Sequence, residues 1–256
     1  MAQVKRRLDE LLVRRGLCPN IQLARAWIMA GEVIVADHRA DKPGHRYDED
    51  IDIRIRARKK HEFVSRGGLK LAAAIQSFGL EVDGFACLDL GASTGGFTDC
   101  LLQSGAKRVY AVDVGYGLLD WSLRSDARVV NLERTHAKDL TSDLVDEPIN
   151  LIVADISFNS LTRLLEPSLN FLSAGGHVLL LVKPQFEAER SEVGEGGIVT
   201  DPDVHARVLE SIGDYLVRLG ARLCGTVPSS IKGTDGNQEF LVLAQFDRVD
   251  DVRFSP

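Results

Sequence analysis

An apolar run, Ala86-Cys87-Leu88-Asp89-Leu90, breaks into the turn Gly91-Ala92-Ser93-Thr94-Gly95-Gly96, and a helical stretch follows over 96–104. A strand that ends in glycine and leads straight into a helix is the first step of a parallel sheet, because bare backbone amides at such a turn can approach a ligand. The pattern continues along the chain. From Ser65 onward, strands are expected at Ala86–Leu90, Arg108–Val112, Ala127–Leu132, Ile149–Ala154, His177–Val182, Ala221–Pro228 and Glu239–Phe246. Helices fit near 66–78, 96–104, 117–124, 159–171 and 202–219. This alternation predicts an α/β fold with a mostly parallel seven-stranded sheet, covered on both faces.

The turn also narrows the cofactor. A Rossmann-type dinucleotide site has the spacing G-x-G-x-x-G. Here Gly91 is followed by Ala92-Ser93-Thr94 before Gly95 and Gly96, so the glycine that lets a pyrophosphate approach is missing. Asp89 would crowd a pyrophosphate but could bind an ammonium. S-adenosylmethionine (SAM) carries an amino-acid tail and no phosphate. Asp113 ends the next expected strand, where an acid can accept both ribose hydroxyls. Asp139 follows the third strand and is placed to receive an adenine amino group. The expected SAM set is therefore Asp89, Gly91, Ser93, Thr94, Gly95, Gly96, Phe97, Asp113 and Asp139.

At 256 residues there is room for one such domain and a small additional module. Residues 1–70 hold 16 Lys and Arg against 10 Asp and Glu, a net of +6, whereas the remainder is −12. A basic head on an acidic body suits a protein whose head touches a polyanion, and equally an unevenly charged surface. In the head, Leu8, Leu11 and Leu12 mark one helix ending at Gly16, and Ile21, Ala24 and Ile28 a second stopped at Gly31. Strands are expected at Val33–Val35 and Ile51–Ile55, and Trp27 is expected in the core. The charged run Arg56–Glu62 reads as a linker, giving a head over 1–58, a linker over 59–66 and a catalytic domain over 67–256. No apolar run approaches the about twenty residues of a spanning helix, and the N-terminus lacks a signal-peptide core. A cytoplasmic protein with no stable membrane association is expected. Cys18, Cys87, Cys100 and Cys224 form no CxxC pair, so neither a metal nor a disulfide framework is expected. Oligomeric state is not legible.

The acceptor is approached first by exclusion. The fourth strand leads into Asp155-Ile156-Ser157-Phe158, not the Asn/Asp-Pro-Pro-Tyr of amino methylation. No cysteine follows a proline, as carbon-5 methylation of pyrimidines requires. What remains is Lys70 before the first strand, Asp155 after the fourth, Lys183 after the fifth and Glu239 opening the last. An alcohol acceptor is a poor nucleophile whose proton must leave as the methyl transfers, and a lysine held near a second cation in a dry site can take it. A structural salt-bridge network at the sheet rim would use the same residues.

Taken in order and context, Lys70, Asp155, Lys183 and Glu239 resemble the Lys-Asp-Lys-Glu tetrad of FtsJ-type ribosomal-RNA 2′-O-methyltransferases. The head segments Lys5–Leu17, Gln22-Leu23-Ala24-Arg25 and Gly31-Glu32-Val33 are similar to an S4 RNA-binding domain. With Val64-Ser65-Arg66-Gly67-Gly68-Leu69-Lys70 between them, the arrangement resembles the TlyA family. The resemblance implies SAM-dependent 2′-O-methylation of cytidine in the RNA of ribosomal subunits, catalysed by the tetrad. It implies RNA contacts from Lys5, Arg6, Arg7, Arg14, Arg15 and Arg25, extended by Arg66 and Arg58-Lys59-Lys60. Arg66-Gly67-Gly68 is expected to act as a hinge, and Glu192–Val199 as an RNA-facing lid. Many members carry the label haemolysin. A membrane-active haemolysin and an RNA-binding assembly factor with a vestigial methyltransferase fold are therefore the alternatives.

Overall fold

In the computed structural model the described residues are 5–18, 20–29, 31–55, 62–156, 158–233 and 235–247, with 158–163 described by backbone alone. The chain divides into two compact units, Met1–His61 and Glu62–Pro256. The expected linker cations Arg58, Lys59 and Lys60 lie outside the described residues.

The first unit runs β1 (Lys5–Arg7), α1 (Leu8–Arg14), α2 (Ile21–Met29), β2 (Val33–Val35), β3 (His38–Arg39), β4 (Arg46–Asp48) and β5 (Ile53–Ile55). Strands β1 and β4 pair antiparallel, and β3-β2-β5 form a second small antiparallel sheet. Leu8, Leu11 and Leu12 of α1 pack with Ala24 and Ile28 of α2 over Val33, Val35 and Ile53. These are the apolar stripes that mark the two helices in the sequence. Trp27 is only half-buried at the edge of this core. The short, polar strands β1, β3 and β4 carry no alternating pattern long enough to read.

The second unit opens with α3 (Arg66–Phe78) and continues β6 (Ala86–Leu90), α4 (Gly96–Gln103), β7 (Arg108–Asp113), α5 (Trp121–Arg124), β8 (Val129–Glu133) and β9 (Ile149–Ala154). It ends with α6 (Phe158–Leu169), β10 (Leu172–Val182), α7 (Pro202–Arg218), β11 (Arg222–Pro228) and β12 (Phe240–Phe246). The seven strands order as β11-β12-β10-β9-β6-β7-β8. Strands β8 to β10 in that order are parallel, and β12 runs antiparallel between β10 and β11. Alternate residues face opposite layers. Leu88, Leu90, Ile152, Ala154, Val178 and Leu180 meet Leu165 of α6 and Val208, Ile212 and Leu216 of α7. Cys87, Leu151, Val153, Leu179 and Leu181 meet Leu71 and Ala74 of α3 and Cys100 and Leu101 of α4. The strand order reverses between β6 and β9, and a crevice beyond their carboxyl ends is where such sheets bind ligands.

Two expectations need correction. The helix expected over 117–124 is only the turn Trp121–Arg124, because Gly115 and Gly117 precede it. Glu239 lies just before β12 and is not its first residue. Arg66-Gly67-Gly68 forms the first turn of α3. These glycines serve packing: a Cβ at Gly68 would meet Phe63 at 2.3 Å, and one at Gly96 would meet the Gly68 backbone nitrogen at 3.0 Å. The N-termini of α3 and α4 can approach one another because neither carries a side chain there.

Candidate active site

The turn after β6 is tied to β7. The N–H groups of Gly91 and Ala92 donate to the Val112 carbonyl at 2.9 and 3.1 Å, and Ser93 N–H donates to the Asp113 carboxylate at 2.8 Å. Gly91 has φ +79°, and a Cβ there would meet Ile156 Cγ2 at 2.6 Å. Ser93 adopts φ +49°, a left-handed conformation costly for a residue with a Cβ and characteristic of binding turns. Gly115 N–H donates to the second oxygen of Asp113 at 2.7 Å, fixing that carboxylate at the rim.

Two cavities flank this turn. The first, of 380 Å³, is walled by Ser65, Arg66, Asp89 and the Gly91–Thr94 turn together with all four residues of the expected tetrad. Within it the tetrad is two ion pairs. The buried ammonium of Lys70 bonds the buried Glu239 carboxylate, and Lys183 Nζ lies 2.5 Å from Asp155 Oδ1. Helix α3 carries Lys70, and three loops deliver the other groups. Asp155 follows β9 and Lys183 follows β10, its neighbour, while the antiparallel β12 begins at the same edge and brings Glu239 alongside. The Phe186 ring, exposed at the rim, lies 6.0 Å from Lys183 Nζ.

The second cavity, of 520 Å³, shares Gly91, Ser93 and Asp155 with the first and is lined further by Asp113, Val114, Thr135, His136, Ala137 and Ile156. Gly95, Gly96 and Phe97 sit as expected at the N-terminus of α4, with Gly96 and Phe97 in the first cavity wall. Asp139 is different. It ends the short 3-10 turn Ala137–Asp139, is exposed and lines neither cavity, whereas Thr135, His136 and Ala137 do. No sequence signal separates these neighbours, since which of them faces inward depends on the phase of that turn.

The site fits a SAM-like group on the chain's own chemistry. Asp89 is fully buried, one oxygen accepts from the Thr98 hydroxyl at 2.6 Å, and the other has no hydrogen-bond partner. An unpaired buried acceptor calls for a donor, and an ammonium supplies one. The converging N-termini of α3 and α4 favour a carboxylate nearby. Asp113 lines the second cavity, and Leu90, Val112, Ile156 and Leu164 give it an apolar wall.

Two buried polar residues absent from the expected site also shape it. Thr98 on α4 holds Asp89. Asn237 accepts from Val199 N–H and donates to the Gly197 carbonyl, both at 2.9 Å, so it pins the Glu192–Val199 segment to the turn that carries Glu239. Neither carries a sequence signal, because isolated Thr and Asn residues are common on helices and in turns.

In the first unit the expected RNA-facing cations are mostly engaged. Arg7 and Arg25 both bond the buried carboxylate of Asp9 at 2.8 Å, and Arg6 bonds Glu49. Arg15 donates to the carbonyls of Glu49 and Ile51. Lys5 and Arg14 are exposed, the latter 3.8 Å from Glu49. The paired arginines drive the Asp9 carboxyl down to about 2. In the second unit, Arg66 donates to the Lys232 carbonyl at 2.7 Å.

The profile of the FtsJ-like methyltransferases matches residues 63–246, and that of the S4 domain residues 6–50. The Mycobacterium tuberculosis 16S/23S rRNA (cytidine-2′-O)-methyltransferase TlyA is 42% identical over 92% of this chain and 88% of its own length. The chain belongs to the TlyA family of FtsJ-like methyltransferases. Brachyspira hyodysenteriae hemolysin A is 39% identical over 92% of the chain and 98% of its own length. The solved structure of a candidate hemolysin of Streptococcus thermophilus, 40% identical, covers 99% of this chain and 94% of its own, with a TM-score of 0.69. TlyA-family members thus carry both names. Among the described residues no helix is long and apolar enough to cross a membrane.

Proposed function

We propose that this TlyA-family chain transfers a methyl group from SAM to the 2′-hydroxyl of a cytidine ribose in ribosomal RNA, acting on ribosomal subunits in the cytoplasm with the S4-like head as RNA binder. The observation that carries the reading is the pair of lysine–carboxylate bridges, Lys70–Glu239 and Lys183–Asp155, in one cavity that begins at the glycine turn. The Mycobacterium tuberculosis relative, named for this reaction, supports the choice of acceptor.

Bound SAM would supply an electrophilic methyl group on sulfonium sulfur. Asp89, the Gly91–Gly96 turn and Asp113 would hold it. Lys183, held by Asp155, would take the proton of the 2′-hydroxyl as the methyl group is transferred, and Asp155 would stabilise the ammonium so produced. Lys70, fixed by Glu239, supplies the second positive charge that orients the hydroxyl oxygen. Among the remaining head and rim cations, Lys5, Arg14 and Arg66 are the proposed phosphate contacts, and the paired Arg6, Arg7, Arg15 and Arg25 present a preorganised surface.

The test has two parts. Mass-spectrometric mapping of 2′-O-methyl sites in ribosomal RNA from cells with and without the protein should reveal a cytidine methylated only when it is present. Lys183→Ala should abolish transfer to ribosomal subunits while SAM affinity stays within about twofold, because Lys183 meets the acceptor and not the donor. A variant that methylates at the wild-type rate would overturn the assignment of the base.

A further inference from the structure

Among the described carboxylates that line the first cavity, Asp89, Asp155 and Glu239, only Asp89 pairs with none of its cations. Lys183 is engaged by Asp155, Lys70 by Glu239, and Arg66 by the Lys232 carbonyl. Around Asp89 the fold supplies instead the Thr98 hydroxyl from α4, the thiol of Cys87 on its own strand and two further acids, Asp155 after β9 and Asp113 at the end of β7. The carboxylate is fully buried, and one of its oxygens is bare. Thr98 is equally buried, at 0% exposure, so its hydroxyl is a fixed donor.

We propose that Thr98 is a positioning residue that ties down one oxygen of Asp89 and leaves the other aimed into the cavity, so that capture of the cofactor's ammonium expels a proton from the site. This inference rests on the SAM reading above. An unpaired anion in a buried, acid-flanked pocket is costly, and protonation relieves it until a cation arrives. Burial, with the charges of Asp155 and Asp113, pushes the Asp89 carboxyl up to about 7, and the Thr98 hydrogen bonds work in the opposite direction. The ammonium then replaces the proton as the neutralising charge. The balance is simple: the Asp89 O–H bond breaks, its proton passes to solvent, and an N–H···O contact forms.

The linkage has a definite sign. Below the free-site value a proton must be lost from Asp89 for each cofactor bound, so affinity falls as pH falls; above it, the Asp89 contribution levels off, and affinity falls again where the cofactor's own amino group loses its proton, at about pH 8. Between pH 8 and pH 6 the Asp89 contribution alone should raise the dissociation constant about tenfold for a free-site carboxyl near neutrality. Without the threonine hydroxyl, the bare carboxyl holds its proton more tightly, and the falling limb moves to higher pH.

Calorimetric titration of the full-length protein with SAM, at pH 6, 7 and 8 and in two buffers of different ionisation enthalpy, reads both the affinity and the protons released. Wild type should release a substantial fraction of one proton at pH 7. Thr98→Val should move the affinity loss upward in pH, and Thr98→Ser should restore the wild-type profile. Asp89→Asn should bind more weakly with a flat profile from pH 6 to 8. Methylthioadenosine, which lacks the amino-acid tail, is the control and should bind with no such pH dependence. Equal pH dependence for both ligands, or an unchanged profile in Thr98→Val, would overturn the role of Thr98 and Asp89 in proton release. Failure of both ligands to bind wild type would overturn the SAM reading itself.

Discussion

Lys70 and Glu239 are 8% and 3% exposed, and each is the other's charged partner across the first cavity. Lys70→Met keeps the length of the side chain and removes the charge. It leaves a carboxylate buried in the wall of the site, with Gly233 so close behind it that a Cβ there would lie 2.5 Å from Glu239 Oε1. Breaking a buried pair from one side costs about 3–5 kcal/mol because the remaining charge has lost both water and partner. For a unit of this size that corresponds to a melting point lower by about 6–20 °C. Replacing both residues, Lys70→Met with Glu239→Leu, removes the orphaned charge and should recover most of the loss. Methylation of ribosomal subunits should not recover in the double variant, because the cation near the acceptor is still missing. Calorimetric melting of wild type, Lys70→Met and the double variant, paired with methyl-transfer assays on ribosomal subunits, separates the two effects. A double variant that regains stability and activity together would make the pair a structural element only. A single Lys70→Met variant that melts with wild type would show that the carboxylate is not buried as described.

Gly91→Ala would place a Cβ 2.6 Å from Ile156 Cγ2 at a residue with φ +79°, costing about 1–3 kcal/mol and weakening SAM binding through the same turn; chemical denaturation and calorimetry measure the two losses. In the first unit, Asp9→Asn removes a carboxyl held at about 2 chiefly by its hydrogen bond from Arg7. A folded-state value below the unfolded one stabilises above about pH 4, and that stability is lost as pH falls toward 2. The variant should therefore be less stable than wild type by about 1–2 kcal/mol at pH 7, with the gap closing in acid. Denaturant midpoints that differ equally at pH 7 and pH 3 would refute it.

The glycine turn, the seven-strand alternation and the helix stripes of the head were legible because each is local. A strand, its turn and its helix lie within about twenty residues, and the periods of two and 3.6 are written in consecutive positions. Asp155, Lys183 and Glu239 could be placed at strand ends for the same reason, and Lys70 on the helix before the first strand. Their pairing could not. Lys70 meets Glu239 across 169 positions of sequence only because β12 runs antiparallel beside β10 and starts at the active edge. Asp155 meets Lys183 because β9 and β10 are neighbours in register. The reversal of strand order between β6 and β9 opens the crevice. The phase of one 3-10 turn puts His136 and Ala137 at the cavity and leaves Asp139 in solvent. Asp9 shows the limit from the other side: nothing local in the first helix marks this acid, yet it is fully buried and bonded by Arg7 and Arg25. The turn after β6 was fixed by short-range sterics that any strand-turn-helix segment must obey. The charges around it were sorted by packing between distant segments, where burial decides which partner an ion must have.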